Sequence, residues 1–130
     1  MKKLLIITTF LSSMIMSSVA YAEWTKVVEN VSGVTFYVDL ERIKKHNGKV
    51  YFWELADYLK PDKHGVISAK TYVEAECGHF RFRWLNASFY KGPMGSLPLV
   101  LSNNTPEIDW KYPPPNTADE AVLKAVCNHK

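Results

Sequence analysis

A chain of 130 residues that is 47% apolar and 22% charged is one ordinary domain, long enough to bury a core. Its net charge of +3 includes Lys2 and Lys3; without them 14 basic residues stand against 13 acidic ones. That balance excludes the concentrated basic stripe a nucleic-acid partner needs and tight generic binding to anionic membranes.

Lys2 and Lys3 precede an apolar run over residues 4–16, and Ala20-Tyr21-Ala22 is a small-x-small cleavage site. We read residues 1–22 as a signal peptide and residues 23–130 as the exported domain. The apolar run falls short of the roughly 20 residues a membrane span requires, so no membrane span is expected. No Cys stands near the cleavage point, and the expected location is the periplasm or the exterior, without a lipoprotein anchor.

Residues 24–28 and 34–38 alternate around the turn cluster Asn30-Val31-Ser32-Gly33 and predict a hairpin. Asp39 stands at an N-cap position before a single helical turn, and His46-Asn47-Gly48 supplies a tight turn. Residues 49–60 form a third strand, apolar on both faces and therefore central and covered on both sides. In residues 66–77 the alternation is cleaner. Ile67, Ala69, Thr71, Val73, Ala75 and Cys77 share a buried face; Ser68, Lys70, Tyr72, Glu74 and Glu76 share a wet one.

After Gly78 the pattern returns, with Phe80, Phe82 and Trp84 opposite Arg81, Arg83 and Leu85. Residues 97–101 predict a short last strand, and residues 102–115 an irregular stretch in which Trp110 and Tyr112 either cover the core or make contacts outward. Thr117 and Glu120 form a capping box, and the helix after it places Val122, Leu123, Val126 and Cys127 on one stripe. Two cysteines in an exported domain read as one disulfide, Cys77 to Cys127, that ties the helix to the sheet. The expected class is α+β, an antiparallel sheet of about six strands with a C-terminal helix tethered to one face.

These residues offer three kinds of chemistry. Cys77-x-His79 and Cys127-x-His129 could bring together four zinc-type ligands if the thiols stay reduced, which export disfavours. Catalysis finds no footing: there is no G-x-S-x-G elbow and no C-x-x-C pair, and Glu74 and Glu76 read as a solvated edge. No enzyme activity and no cofactor are expected. Lys70, Tyr72, Arg81 and Arg83, with Lys63 in the preceding loop, form the candidate surface for a protein partner; cross-strand Glu–Arg pairing is the bland reading of the same residues.

The order of features then becomes informative. Trp24, Phe36-Tyr37-Val38-Asp39, Trp53-Glu54-Leu55-Ala56-Asp57-Tyr58, Ser68-Ala69-Lys70, Glu76-Cys77 with Arg81 and Arg83, Tyr90 with Met94-Gly95, Trp110-Lys111-Tyr112-Pro113 and Cys127 follow one another along the chain. This set resembles the surface-adhesin protein E family of Gram-negative bacteria. The resemblance implies a six-stranded antiparallel sheet with its helix bound by the Cys77–Cys127 bond, possible homodimers, and binding of host matrix or serum proteins such as laminin and vitronectin. A periplasmic small-ligand or metal-binding protein is the alternative.

Overall fold

The computed structural model describes residues 23–130, so the expected signal peptide lies outside the described residues. Alternating residues carry most of this chain into one antiparallel sheet of strands β1 (Thr25–Glu29), β2 (Thr35–Val38), β3 (Lys44–His46), β4 (Lys49–Asp57), β5 (Ser68–Glu76), β6 (Arg81–Tyr90) and β7 (Leu99–Asn103). The spatial order is β1-β2-β4-β5-β6-β7, and β3 also pairs with β4. Helix α1 (Ala118–Asn128) closes the chain. The α+β class with a tethered C-terminal helix is as expected.

The strand not anticipated is β3. A 3₁₀ turn at Leu40–Arg42 breaks what would be one long strand, so β2 pairs with the far half of β4 and β3 with its near half. Asn47 and Gly48, both at positive φ, then turn β3 directly into β4, as the sequence suggested. The last strand begins at Leu99 rather than 97, because Pro98 has no N–H to give a ladder.

The predicted buried face of β5 packs as read: Val73 and Ala75 are inaccessible, and Ala69 and Thr71 nearly so. Val73 and Ala75 join one core with Val50 and Phe52 of β4, Phe82 of β6, and Val122, Leu123 and Val126 of α1. The helix starts where the capping box placed it, with the Glu120 N–H donating to Thr117 Oγ1 at 3.3 Å. The return bond comes from the Asn116 N–H to Glu120 Oε1, one residue earlier than the standard box. Lys124 pairs with Glu120 on the outside, also at 3.3 Å.

Cys77 and Cys127 are bonded, 50 residues apart in sequence. With both thiols oxidised, Cys77, His79, Cys127 and His129 do not form a zinc set. His79 instead points outward beside Glu76 at 3.7 Å, and His129 caps the helix. The turn after Cys77 holds a surprise. Its left-handed residue is Phe80 (φ 52°), not Gly78, and the Phe80 ring packs against the core. Core packing thus holds a bulky residue in a conformation it would otherwise avoid.

The expected cover on the second face of β4 reaches only part of it: Leu55 is inaccessible and Asp57 accepts from the Met94 N–H at 2.8 Å. Helix α1 lies on one face only, and Tyr51 and Trp53 on the other are only partly buried. Nor is the outward face of β5 uniformly wet: Ser68 and Glu74 are both buried. Ser68 is sealed by a short 3₁₀ turn at Pro93–Gly95, its hydroxyl donating to the Gly92 carbonyl at 2.6 Å and accepting from the Gly95 N–H at 2.8 Å.

Candidate functional site

The helix-free face carries the predicted surface residues, and register decides their neighbours. Glu76 lies directly opposite Arg81, and Glu74 opposite Arg83. Arg81 Nη2 accordingly donates to both Glu76 oxygens at 3.0 and 3.1 Å, and Arg83 grips Glu74 Oε1 through Nε at 2.9 Å and Nη2 at 2.8 Å. Lys49, from β4, approaches Glu74 Oε1 at 3.8 Å. The Arg81 hydrogen bonds are the largest influence holding the Glu76 carboxyl below its usual range.

A lid crosses this cluster. Residues 107–111 run beside the start of β6 through bonds between Glu107 N and Trp84 O (2.8 Å), Phe82 N and Lys111 O (2.9 Å), and Lys111 N and Phe82 O (2.8 Å). This pairing sets Trp110 over both guanidiniums, with Arg83 Cζ 4.3 Å and Arg81 Cζ 4.5 Å from its ring centroid and the Lys49 ammonium at 5.8 Å. Arg81 Nη1 also donates to the Tyr112 hydroxyl at 3.3 Å, the leading cause that raises the guanidinium further. Trp110 and Tyr112 therefore serve the polar face rather than the apolar core.

Beside the cluster runs an aromatic ladder. Tyr72 packs against Trp53 with ring centroids 4.9 Å apart and against Tyr51 at 6.3 Å. Beyond it Lys70 reaches over the Tyr90 ring at 5.2 Å. Lys70 faces Ser88 in the ladder, four residues from Glu74 and six from Glu76, so it stands about 13 Å along the strand from Arg83 and about 20 Å from Arg81. Lys63 is farther still, in the exposed loop that Asp62 organises by accepting from the His64 and Val66 N–H groups at 2.8 and 2.9 Å.

The five predicted residues thus divide. Arg81, Arg83 and Tyr72 form one continuous surface, Lys70 borders it, and Lys63 stands apart. Lys49, Tyr51, Trp53 and Trp110 complete the surface and were missed as a group. Alternation in β4 puts Tyr51 and Trp53 on one face but does not tell a covered face from an open one; Trp110 depends on a loop whose path has no periodicity.

The arrangement has a counterpart among known families. A family model described as surface-adhesin protein E matches residues 24–128. The chain belongs to the surface-adhesin protein E family. Crystal form II of Haemophilus influenzae protein E is 19% identical, covers 83% of this chain and 89% of its own, and superposes with a TM-score of 0.62. The selenomethionine form of that protein gives 19% identity, 85% and 90% coverage, and a TM-score of 0.62. Protein E from non-typeable H. influenzae gives 18%, 85% and 78%, and 0.52. At this identity the structures share a fold with the chain. No curated protein matches the sequence. Membership of the adhesin E family makes this an adhesin-like surface protein, and the family points away from an enzyme. Among the described residues no helix is long and apolar enough to cross a membrane.

Proposed function

We propose that the chain is an exported, non-catalytic binding protein whose helix-free face recognises a host matrix or serum protein. The observation that carries this reading is the uncovered ladder Tyr51–Tyr72–Trp53 flanked by Arg81 and Arg83 under Trp110. Aromatic and arginine side chains dominate the energetics of protein interfaces, because they present large rigid area with a polar handle. Here the guanidiniums are already held by Glu74 and Glu76, so little side-chain freedom is lost on docking. Laminin and vitronectin are the partners to test, as the family resemblance implies.

In a solid-phase assay the wild-type protein is expected to bind one of the two saturably. Tyr72→Ala and Trp110→Ala each weaken that binding about tenfold or more, the scale of an interface hot spot. The joint replacement of Lys63, Lys70, Arg81 and Arg83 by Ala weakens it further. Wild-type protein that binds neither, or variants that bind as well as wild type, would sink the proposal.

The exposed edge strand β7 supports the homodimer reading. Its outer backbone edge carries no further strand among the described residues, and Leu99, Val100 and Leu101 are exposed along it. Light scattering should report a dimer that Leu101→Lys converts to monomer; a monomeric wild type removes the reading.

A further inference from the structure

Helix α1 covers only part of the sheet face it packs on. Val122, Leu123 and Val126 reach Phe52, Val73 and Phe82, while the remainder of that face stays open as a cavity of about 400 Å³. Phe36, Ala56, Tyr58, Ala69, Trp84 and Phe89 form its apolar walls. Two carboxyls converge at its helix end: Glu54 from the middle of β4, and Asp119 from the first turn of α1 at the rim. Neither carboxyl has a hydrogen-bond or ion-pair partner among the described residues, and no cationic side chain lines the cavity. Lys111 is the cation whose charge reaches Asp119. It stacks on the Trp84 ring at 4.6 Å and is already held by Glu107 at 2.7 Å.

An acid on the apolar face of a central strand is costly unless something meets it. Its neighbours in the strand, Val50, Phe52 and Ala56, show that the position faces the apolar layer. The cavity has the size and character of a small-molecule site, apolar walls with few convergent polar groups. Its charge is of one sign.

We propose that this cavity binds a small organic amine, its ammonium group between Glu54 and Asp119 and its apolar body against Tyr58, Trp84 and Phe89. The charged form of an amine supplies the hydrogen bonds that both carboxyls lack, and the aromatic walls suit an apolar or aromatic body. This site lies on the opposite face of the sheet from the proposed protein-binding surface and does not depend on it.

The proposal fixes a pH dependence. Burial, and secondarily the nearby Asp119 charge, push the Glu54 carboxyl up to about 8. Burial likewise raises Asp119, opposed by Lys111. Tyr58, the other titratable group on the wall, is raised by burial and then by Asp62, away from neutral pH. An aliphatic amine stays protonated to roughly pH 10. Below pH 8 the ligand must therefore displace a proton from Glu54, and affinity rises with pH up to about 8, then levels off.

Tryptamine is the probe, with its uncharged alcohol analogue tryptophol and the bodiless ethylammonium ion as controls, followed by NMR titration of the purified protein. Saturable shifts at Trp84 and Phe89 are expected for tryptamine only, with affinity rising by up to about tenfold over one pH unit below that plateau. Glu54→Gln should cost tenfold or more at pH 8 and flatten the pH dependence, whereas Asp119→Asn costs less. Equal binding of tryptophol, unchanged affinity in Glu54→Gln, or absence of saturable shifts would each overturn the proposal. Shifts at Trp84 and Phe89 that appear on concentrating the protein alone would also overturn it, assigning the cavity to a second copy. Laminin or vitronectin binding by Glu54→Gln should match wild type, so the two sites fail or succeed separately.

Discussion

The two faces of this sheet use the same alternating strands but solve opposite problems. On the helix face, Phe52, Val73, Phe82, Leu123 and Val126 exclude water by apolar packing, and Glu54 interrupts them without a partner. On the helix-free face, Glu74 is buried more completely than the partly buried Glu54, yet Arg83, Lys49 and the Tyr51 hydroxyl all turn toward it. A carboxylate in apolar surroundings with donors is a structural member; one without them is a cost that structure alone does not repay. The difference between Glu74 and Glu54 is the clearest functional signal in the molecule.

The largest test of this contrast removes the bond that holds the helix on its face. Replacing Cys77 and Cys127 together by Ala frees a 50-residue loop, and urea unfolding should show a loss of about 4 kcal/mol. If the variant keeps its stability, the helix face is held by packing alone.

Glu54→Gln should act in the other direction. The carboxyl titrates near 4.5 when exposed and near 8 in the fold, so folding takes up a proton between these values. Its contribution to stability is present in full below pH 4.5 and is lost as pH rises through 8. At about 1.4 kcal/mol per unit, and with the folded carboxyl half ionised at pH 8, Glu54→Gln should gain roughly 4 kcal/mol there and almost nothing at pH 4. Denaturant midpoints at the two pH values measure it, and a variant less stable than wild type at pH 8 would show that Glu54 is paired after all.

Arg83→Ala, on the opposite face, should instead destabilise by about 2 kcal/mol, because it leaves the Glu74 carboxylate buried with weaker partners. Arg83→Ala combined with Glu74→Gln should recover part of the loss. If Arg83→Ala is neutral, the ion pairs are decoration on a solvated surface and the two faces differ less than argued.

Much of the fold was legible from local pattern. Period-two alternation placed β5 and its buried residues, Thr117 and Glu120 marked the helix start, and two cysteines in an exported domain foretold the tether. Lys70, Tyr72, Arg81 and Arg83 were put on one face for the same reason, since side-chain direction along a strand is a local property. The break between β2 and β3, the left-handed Phe80 and the path of residues 107–111 were not legible, because each is held by contacts distant in sequence.

The sequence by itself therefore determined the class of fold, the faces of its strands and the covalent link, all consequences of short-range periodicity and redox chemistry. Only the tertiary structure decided that Glu74 would meet Arg83, that Trp110 would lie over the arginines, and that α1 would stop short of covering Glu54. Register and the placement of one helix on a broad sheet depend on how whole surfaces fit, and no stretch of residues carries that in its own spacing.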